Sequence, residues 1–196
     1  MNPLATPLLL LGASLTLISL IVVHLLPTKL DPLRDPVSRY GITAFRGWYW
    51  SAAAGAALAG VGGALFFSAI PGVIAIVTTV LLSVFAVARA LIGLFPMDAP
   101  DAAKSRTGRI HNLLAFAAFA SVTAAAFTGA GALHDAGAVA LSPWSTALGA
   151  IMAAGTIGVI LTTASSALRG LFGLTERLIY VGFIAWFLML GLAPIS

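Results

Sequence analysis

Six long runs of apolar residues, nearly free of charge, decide what this chain can become. A helix crossing a bilayer needs about 20 mostly apolar residues. Such runs lie at about 4–26, 47–70, 73–95, 110–133, 144–168 and 178–192. They are apolar on every face and far longer than the roughly ten-residue alternating segments of a membrane barrel. The expected fold is therefore all-α: a polytopic bundle of six transmembrane helices, forming one domain over 1–196. Composition closes off the alternative. Of 196 residues, 60% are hydrophobic and only 8% charged, too few to cover a soluble protein of this size. With no Cys, disulfides, thiolate metal sites and c-type haem attachment are excluded.

Breakers fall between the runs. Pro27 follows the first, Pro71-Gly72 makes a tight turn after the second, and Pro96 stops the third. A Gly/Ala/Ser/Pro-rich link precedes the fifth. Loop chemistry of this kind separates helices rather than interrupting them.

The cations give an orientation. Lys29, Arg34, Arg39 and Arg46 lie between spans one and two, Lys104, Arg106 and Arg109 between three and four, and Arg169 and Arg177 between five and six. Nine of the ten basic residues are thus in the odd-numbered loops, and the tenth, Arg89, is inside span three. By the positive-inside rule, loops 27–46, 96–109 and 169–177 are cytoplasmic and both termini are extracytoplasmic, in a cell (plasma) membrane. Span one has no basic region before it and no convincing cleavage site after it, so it reads as a retained anchor. No basic stripe with interleaved aromatics points to nucleic acid.

Packing is foreshadowed by small residues. Ala56/Gly60 and Ala59/Gly63 in span two, and Gly149, Ala153, Ala154 and Gly158 in span five, allow the close backbone approach that drives helix association in lipid. These two spans are expected inside the bundle, and the Leu/Phe-rich sixth nearer lipid. Trp48, Tyr49, Trp50 and Trp144 read as interface anchors.

Most polar side chains with chemical potential gather at the cytoplasmic ends. They include His24, the segment Asp31-Pro-Leu-Arg-Asp-Pro-Val-Ser-Arg-Tyr-Gly41, Phe95-Pro-Met-Asp98, Thr107-Gly-Arg-Ile-His-Asn112 and Gly173-Leu-Thr-Glu-Arg177. This combination, spread over nearly the whole chain, resembles the bacterial and archaeal membrane family known as domain of unknown function 998. The resemblance implies a six-helix membrane protein with no assigned activity, and it marks His24, Ser38, Tyr40, Asp98, His111 and Arg177.

Arg89 stands apart. Six positions before Phe95, it lies about 9 Å inside the helix end. It is expected to snorkel, to pair with Asp98 or Asp31, or to line a polar pocket open to the cytoplasm. Thr107 or Ser105 is placed to cap span four, and His134, beside Asp135, reads as an exposed loop residue.

Together, His24, Ser38, Tyr40, Arg89, Asp98, Arg109, His111 and Arg177 outline a candidate polar pocket at the cytoplasmic face. Three helix N-termini and nine loop cations at that face suit an anionic lipid or phosphate-bearing headgroup. One alternative is a metal-dependent membrane hydrolase with His24, Asp98 and His111 as ligands, Ser38 or Tyr40 assisting. No H-E-x-x-H spacing supports it. Further alternatives are a b-type haem protein using His24 and His111, or a small transporter, although no span is clearly broken at its middle. Cofactor and oligomeric state are not legible.

Overall fold

The computed structural model describes residues 2–193. The two chain ends, Met1 and Ser196, expected on the extracytoplasmic side, lie outside the described residues. Six long helices follow in order: α1 (Ala5–Leu25), α2 (Arg46–Ser68), α3 (Val73–Leu91), α4 (Arg106–Asp135), α5 (Ser142–Ala164) and α6 (Phe172–Leu192). Short 3-10 turns occupy Val37–Ile42, Ile92–Leu94 and Arg169–Leu171. No strand occurs among the described residues. All six helices are long and apolar enough to cross a membrane; 21 residues rise about 31 Å, the thickness of a hydrocarbon core. The protein is an all-α, multi-pass membrane bundle.

The breakers act as their chemistry dictates. Gly72 takes φ +115°, a conformation only glycine adopts cheaply, and turns the chain from α2 into α3. Helix α3 tightens into its 3-10 turn and ends before Pro96, whose ring disfavours helical backbone in the preceding residue. Ser105 caps α4: its side chain accepts the Gly108 N–H at 2.9 Å.

Consecutive helices pack against one another, and α6 returns to α1, closing a ring. The tightest seam joins α1 and α2. A Cβ on Gly12 would lie 2.6 Å from the Gly55 carbonyl oxygen, one on Gly55 2.7 Å from the Gly12 oxygen, and one on Gly62 2.6 Å from the Leu9 nitrogen. Thr16 donates to the Gly12 carbonyl at 2.9 Å and lies 3.3 Å from that of Ala52. Small residues bring these two backbones together, but of the pairs expected in α2 Ala59 alone is placed in this seam, beside Gly55 and Gly62. The face of α2 turned to α1 is Gly55/Ala59/Gly62, whereas Gly60 and Gly63 meet Phe85, Ala86, Leu82 and Phe187 from other helices.

The radial order of the helices differs from the expectation. Helix α2 is interior, 61% of its spanning window being buried, but α5 is the least buried at 22%, and α6 reaches 50%. Tyr180, Phe183, Trp186, Phe187 and Leu190 of α6 fill the centre, against Phe67 and Phe85. Bulk explains this. In lipid, Leu and Phe gain nothing by facing inward, but a six-helix ring leaves a central gap that large rings fill with dispersion contacts. Polar groups inside are satisfied locally. The Trp186 indole N–H donates to Ser145 Oγ at 2.8 Å, which donates to the Ala126 carbonyl at 2.7 Å. Thr78 donates to Thr128 at 2.9 Å.

Exposed Leu11, Ile18, Ile76, Val87, Phe116, Ile157 and Val181 make the outer surface apolar, as a lipid-facing exterior requires. Trp48, Trp50 and Trp144 are exposed, as anchors should be, but Tyr49 is only 3% exposed and turns inward. His134 is exposed, on the last turn of α4 rather than in a loop, 3.7 Å from Asp135.

Candidate functional site

At the charged end of the bundle, the eight sequence-selected residues divide into three local structures and one isolated cation.

The first is a strap. Residues 31–41 leave α1, make turns closed by Asp31 and Asp35 side chains on the Leu33 and Asp31 N–H groups (2.9 and 2.8 Å), and lie across the start of α6. Arg39 pairs with Asp35. Three bonds fasten the strap. Leu174 N–H donates to the Leu33 carbonyl at 3.0 Å, Val37 N–H to Glu176 Oε2 at 2.7 Å, and Arg177 Nη1 to the Asp35 carbonyl at 2.9 Å. Gly173 permits this approach, since a Cβ there would sit 2.5 Å from the Pro32 oxygen and 2.6 Å from the Asp35 oxygen.

Arg177 continues into α1. Its Nε donates to His24 Nε2 at 2.8 Å, while Nη2 lies 3.5 Å from the Tyr40 hydroxyl and the His24 and Tyr40 rings stand 5.0 Å apart. His24 Nδ1 faces the Leu20 carbonyl at 2.6 Å, so this nitrogen carries the hydrogen. Nε2, the remaining lone pair, already accepts from Arg177. The imidazole is spent on protein partners and holds no pair for a metal or a haem iron. His24, Tyr40 and Arg177 thus meet as the joint of α1, strap and α6.

The boundary here corrects the sequence reading. The segment 169–177 is not a loop: α6 begins at Phe172, and Glu176 and Arg177 lie in its second turn. Strap backbone groups bond both side chains, Val37 N–H to Glu176 and the Asp35 carbonyl to Arg177, so the helix extends through them.

The second structure caps α4. Asp98 accepts from Ser105 N–H at 3.1 Å and Ser105 Oγ at 2.5 Å. These bonds, with the charges of Lys104 and Arg109, hold its carboxyl below the ordinary carboxylate range. A Cβ on Gly108 would strike the Asp98 carboxylate. Asp98 therefore serves the helix terminus and ion-pairs with neither Arg109 nor His111. Arg109 is exposed.

The third is a cleft of about 610 Å³ between strap, α4, α5 and α6. Ser38, His111, Asn112 and Glu176 line its charged end, and Phe116, Phe119, Ile160 and Phe172 its flanks. Phe116 and Ile160 are 61% and 54% exposed, so it opens sideways toward lipid. His111 is 2% exposed and Glu176 5%. His111 Nδ1 faces the Phe95 carbonyl at 2.7 Å, tying the Phe95-Pro-Met-Asp98 turn to α4. Ser38 Oγ donates to Met97 Sδ at 3.2 Å, joining that turn to the strap. Ser38 and His111 thus share a site with Glu176 and Asn112, two residues the candidate pocket lacked. A carboxylate placed in an apolar span was the signal for Glu176, and its assignment to a loop hid it.

Arg89 belongs to none of these. It is 1% exposed, and its Nε and Nη2 are buried without any hydrogen-bond partner. It neither snorkels nor pairs with Asp98 or Asp31; no ion pair reaches it among the described residues. Its Cζ lies 5.4 Å from the Tyr180 ring centroid. Tyr49, whose hydroxyl is also unpartnered, and Glu176 are further polar neighbours. Arg89 lines a second groove of about 710 Å³ between α2 and α3, walled by Ala53, Ala57, Ala86, Ala90 and Gly93 under Trp50. The Arg46 guanidinium stands 5.1 Å over the Trp50 ring.

Among the described residues, no three His or acidic side chains gather as a metal set. His24, Asp98 and His111 each serve a different structure.

The chain matches the profile of the family described as "Protein of unknown function (DUF998)" over residues 10–193, nearly its full length, and it belongs to that family. No curated protein and no solved structure matches it.

Proposed function

We propose that this member of the DUF998 family binds a membrane amphiphile by its anionic head, with Arg89 as the recognition residue, at the cytoplasmic side of a cell membrane. One observation carries the reading: a guanidinium buried in an apolar bundle, with two nitrogens lacking partners. An uncompensated cation costs several kcal/mol in such a place, and a bound phosphate or carboxylate would supply the missing acceptors bidentately.

The groove suits such a ligand. Its wall of Ala and Gly leaves room for a hydrocarbon chain beside α2 and α3, and Trp50 and Arg46 stand where a headgroup meets water. The nine cations gathered at the same end would enrich anionic lipid nearby, and their positive-inside arrangement supports the cytoplasmic assignment. Arg109, exposed and outside both clefts, contributes only to that general field.

Native mass spectrometry of the full chain in mild detergent tests this. Wild-type protein should retain a phospholipid or other anionic lipid; Arg89→Gln should lose it by at least tenfold, and Arg109→Ala should keep it. Equal retention by Arg89→Gln and wild type would remove the assignment.

A further inference from the structure

The second cleft, between the strap and α4–α6, has the opposite hydrogen-bonding character, which becomes plain when its hydrogens are counted. Ser38 Oγ spends its hydrogen on Met97 Sδ at 3.2 Å. Thr156 donates to the Met152 carbonyl at 2.9 Å and Thr163 to that of Val159 at 2.7 Å. His111 gives its Nδ1 hydrogen to the Phe95 carbonyl. Each of these lining groups is left with lone pairs only.

Glu176 adds to the same side. Its Oε2 takes the Val37 N–H, and Oε1 has no protein donor among the described residues. Neither nearby arginine donates to it. Arg177 gives its hydrogens to His24, Asp35, Gly173 and Tyr40, and Arg89 makes no hydrogen bond to it. Of the polar side chains lining this cleft, the exposed Asn112 amide alone keeps donors to offer.

We infer that this cleft binds the protonated amine head of a long-chain amphiphile, with the ammonium among Glu176, His111 and Ser38 and the tail against Phe116, Phe119 and Ile160. An ammonium brings three donors and no acceptor, matching a site that holds acceptors and a carboxylate. A phosphate or carboxylate head would meet lone pairs on every side. The sideways opening supplies the apolar path for the tail. Arg89 lines the other groove and donates no hydrogen bond here, but its charge lies near Glu176 and His111, so it opposes an ammonium rather than holding one.

The test offers the purified full chain equal concentrations of dodecylamine, dodecanol and dodecanoic acid, with occupancy read by native mass spectrometry. The amine should be held at least tenfold over the acid and over the alcohol. Glu176→Gln, whose amide oxygen still accepts from Val37 N–H, should cut the amine preference below threefold. Asn112→Lys, at an exposed rim position where folding is not at stake, should lower amine occupancy about tenfold. Arg89→Gln, which removes a neighbouring cation, should hold or raise it. Parity of acid or alcohol with amine in the wild type, or an intact amine preference in both Glu176→Gln and Asn112→Lys, would overturn the assignment. Loss of amine binding in Arg89→Gln would overturn the assignment of the two heads to separate sites.

Discussion

Arg177 and Arg89 are the two arginines of the spanning helices whose side chains are not exposed, and the protein treats them in opposite ways. Arg177 lies where a strap of extended and turned backbone crosses its helix, so its hydrogens go to two carbonyls, an imidazole and a phenol. Arg89 lies where two regular helices flank it. Their carbonyls are used within the helices, so its Nε and Nη2 find no acceptor, and only the Tyr180 ring and the nearby Tyr49 and Glu176 offset its charge. Irregular backbone at membrane depth is a source of acceptors, and regular helix is not. A cation beside a strap is therefore a fastener, while one between helices is a cost unless something else arrives to pair with it.

Mutation of Arg177 should have the largest effect and is the most direct way to break this contrast. Arg177→Ala strands the His24 lone pair and the Asp35 carbonyl together. Breaking a buried charged network of this kind costs about 3 kcal/mol, which for a chain of this length lowers Tm by roughly 6–12 °C. Arg177→Lys should recover less than half, because a single ammonium cannot reach acceptors on three elements at once. Thermal unfolding in detergent measures both. A wild-type Tm for Arg177→Ala would mean that the strap is fastened elsewhere.

At Arg89 the sign should reverse. Replacing a buried, unpaired charge by an apolar side chain of similar length is neutral or stabilising, by about 1–2 kcal/mol, so Arg89→Met should unfold at or above the wild-type temperature. The same variant should lose the anionic lipid. Gain of stability with loss of ligand is the mark of a residue kept for binding. A drop of several degrees would instead make Arg89 a structural element of the α2–α3–α6 core.

The spans, the turn at Pro71-Gly72 and the stop at Pro96 were legible because charge and ring geometry act locally. The inward position of α6 was not, since lipid and core are equally apolar and Leu/Phe content cannot say which one a face meets. The site shows the same divide. Ser38, His111 and Arg177 stand out as polar groups in an apolar chain, but their partners come from distant segments: Val37 bonds Glu176 across 139 positions and His24 bonds Arg177 across 153. No periodicity encodes such pairings. They hang on where the strap lands, and Gly173, a small residue in a short motif, is the trace of that landing.

The smallest expected effect separates the α4 cap from both arginines. Asp98 lies at the surface in water, outside the bundle, and its hydrogen bonds from Ser105 lower its carboxyl below the ordinary 3.8. A group whose folded value is depressed lends stability above its unfolded value and loses it as pH falls through the folded one. The contribution is therefore full above about pH 5 and fades as pH falls through 3.8 toward the lowered folded value. Asp98→Asn should abolish that acid-side slope in a plot of Tm against pH, with a drop of at most a few degrees at pH 7. The fastener made by Arg177 and His24 involves neither Asp98 nor Ser105, so Asp98→Asn combined with Arg177→Ala should show additive losses. Non-additive losses would mean that the strap and the α4 cap, which touch through Ser38 and Met97, form one cooperative unit rather than two.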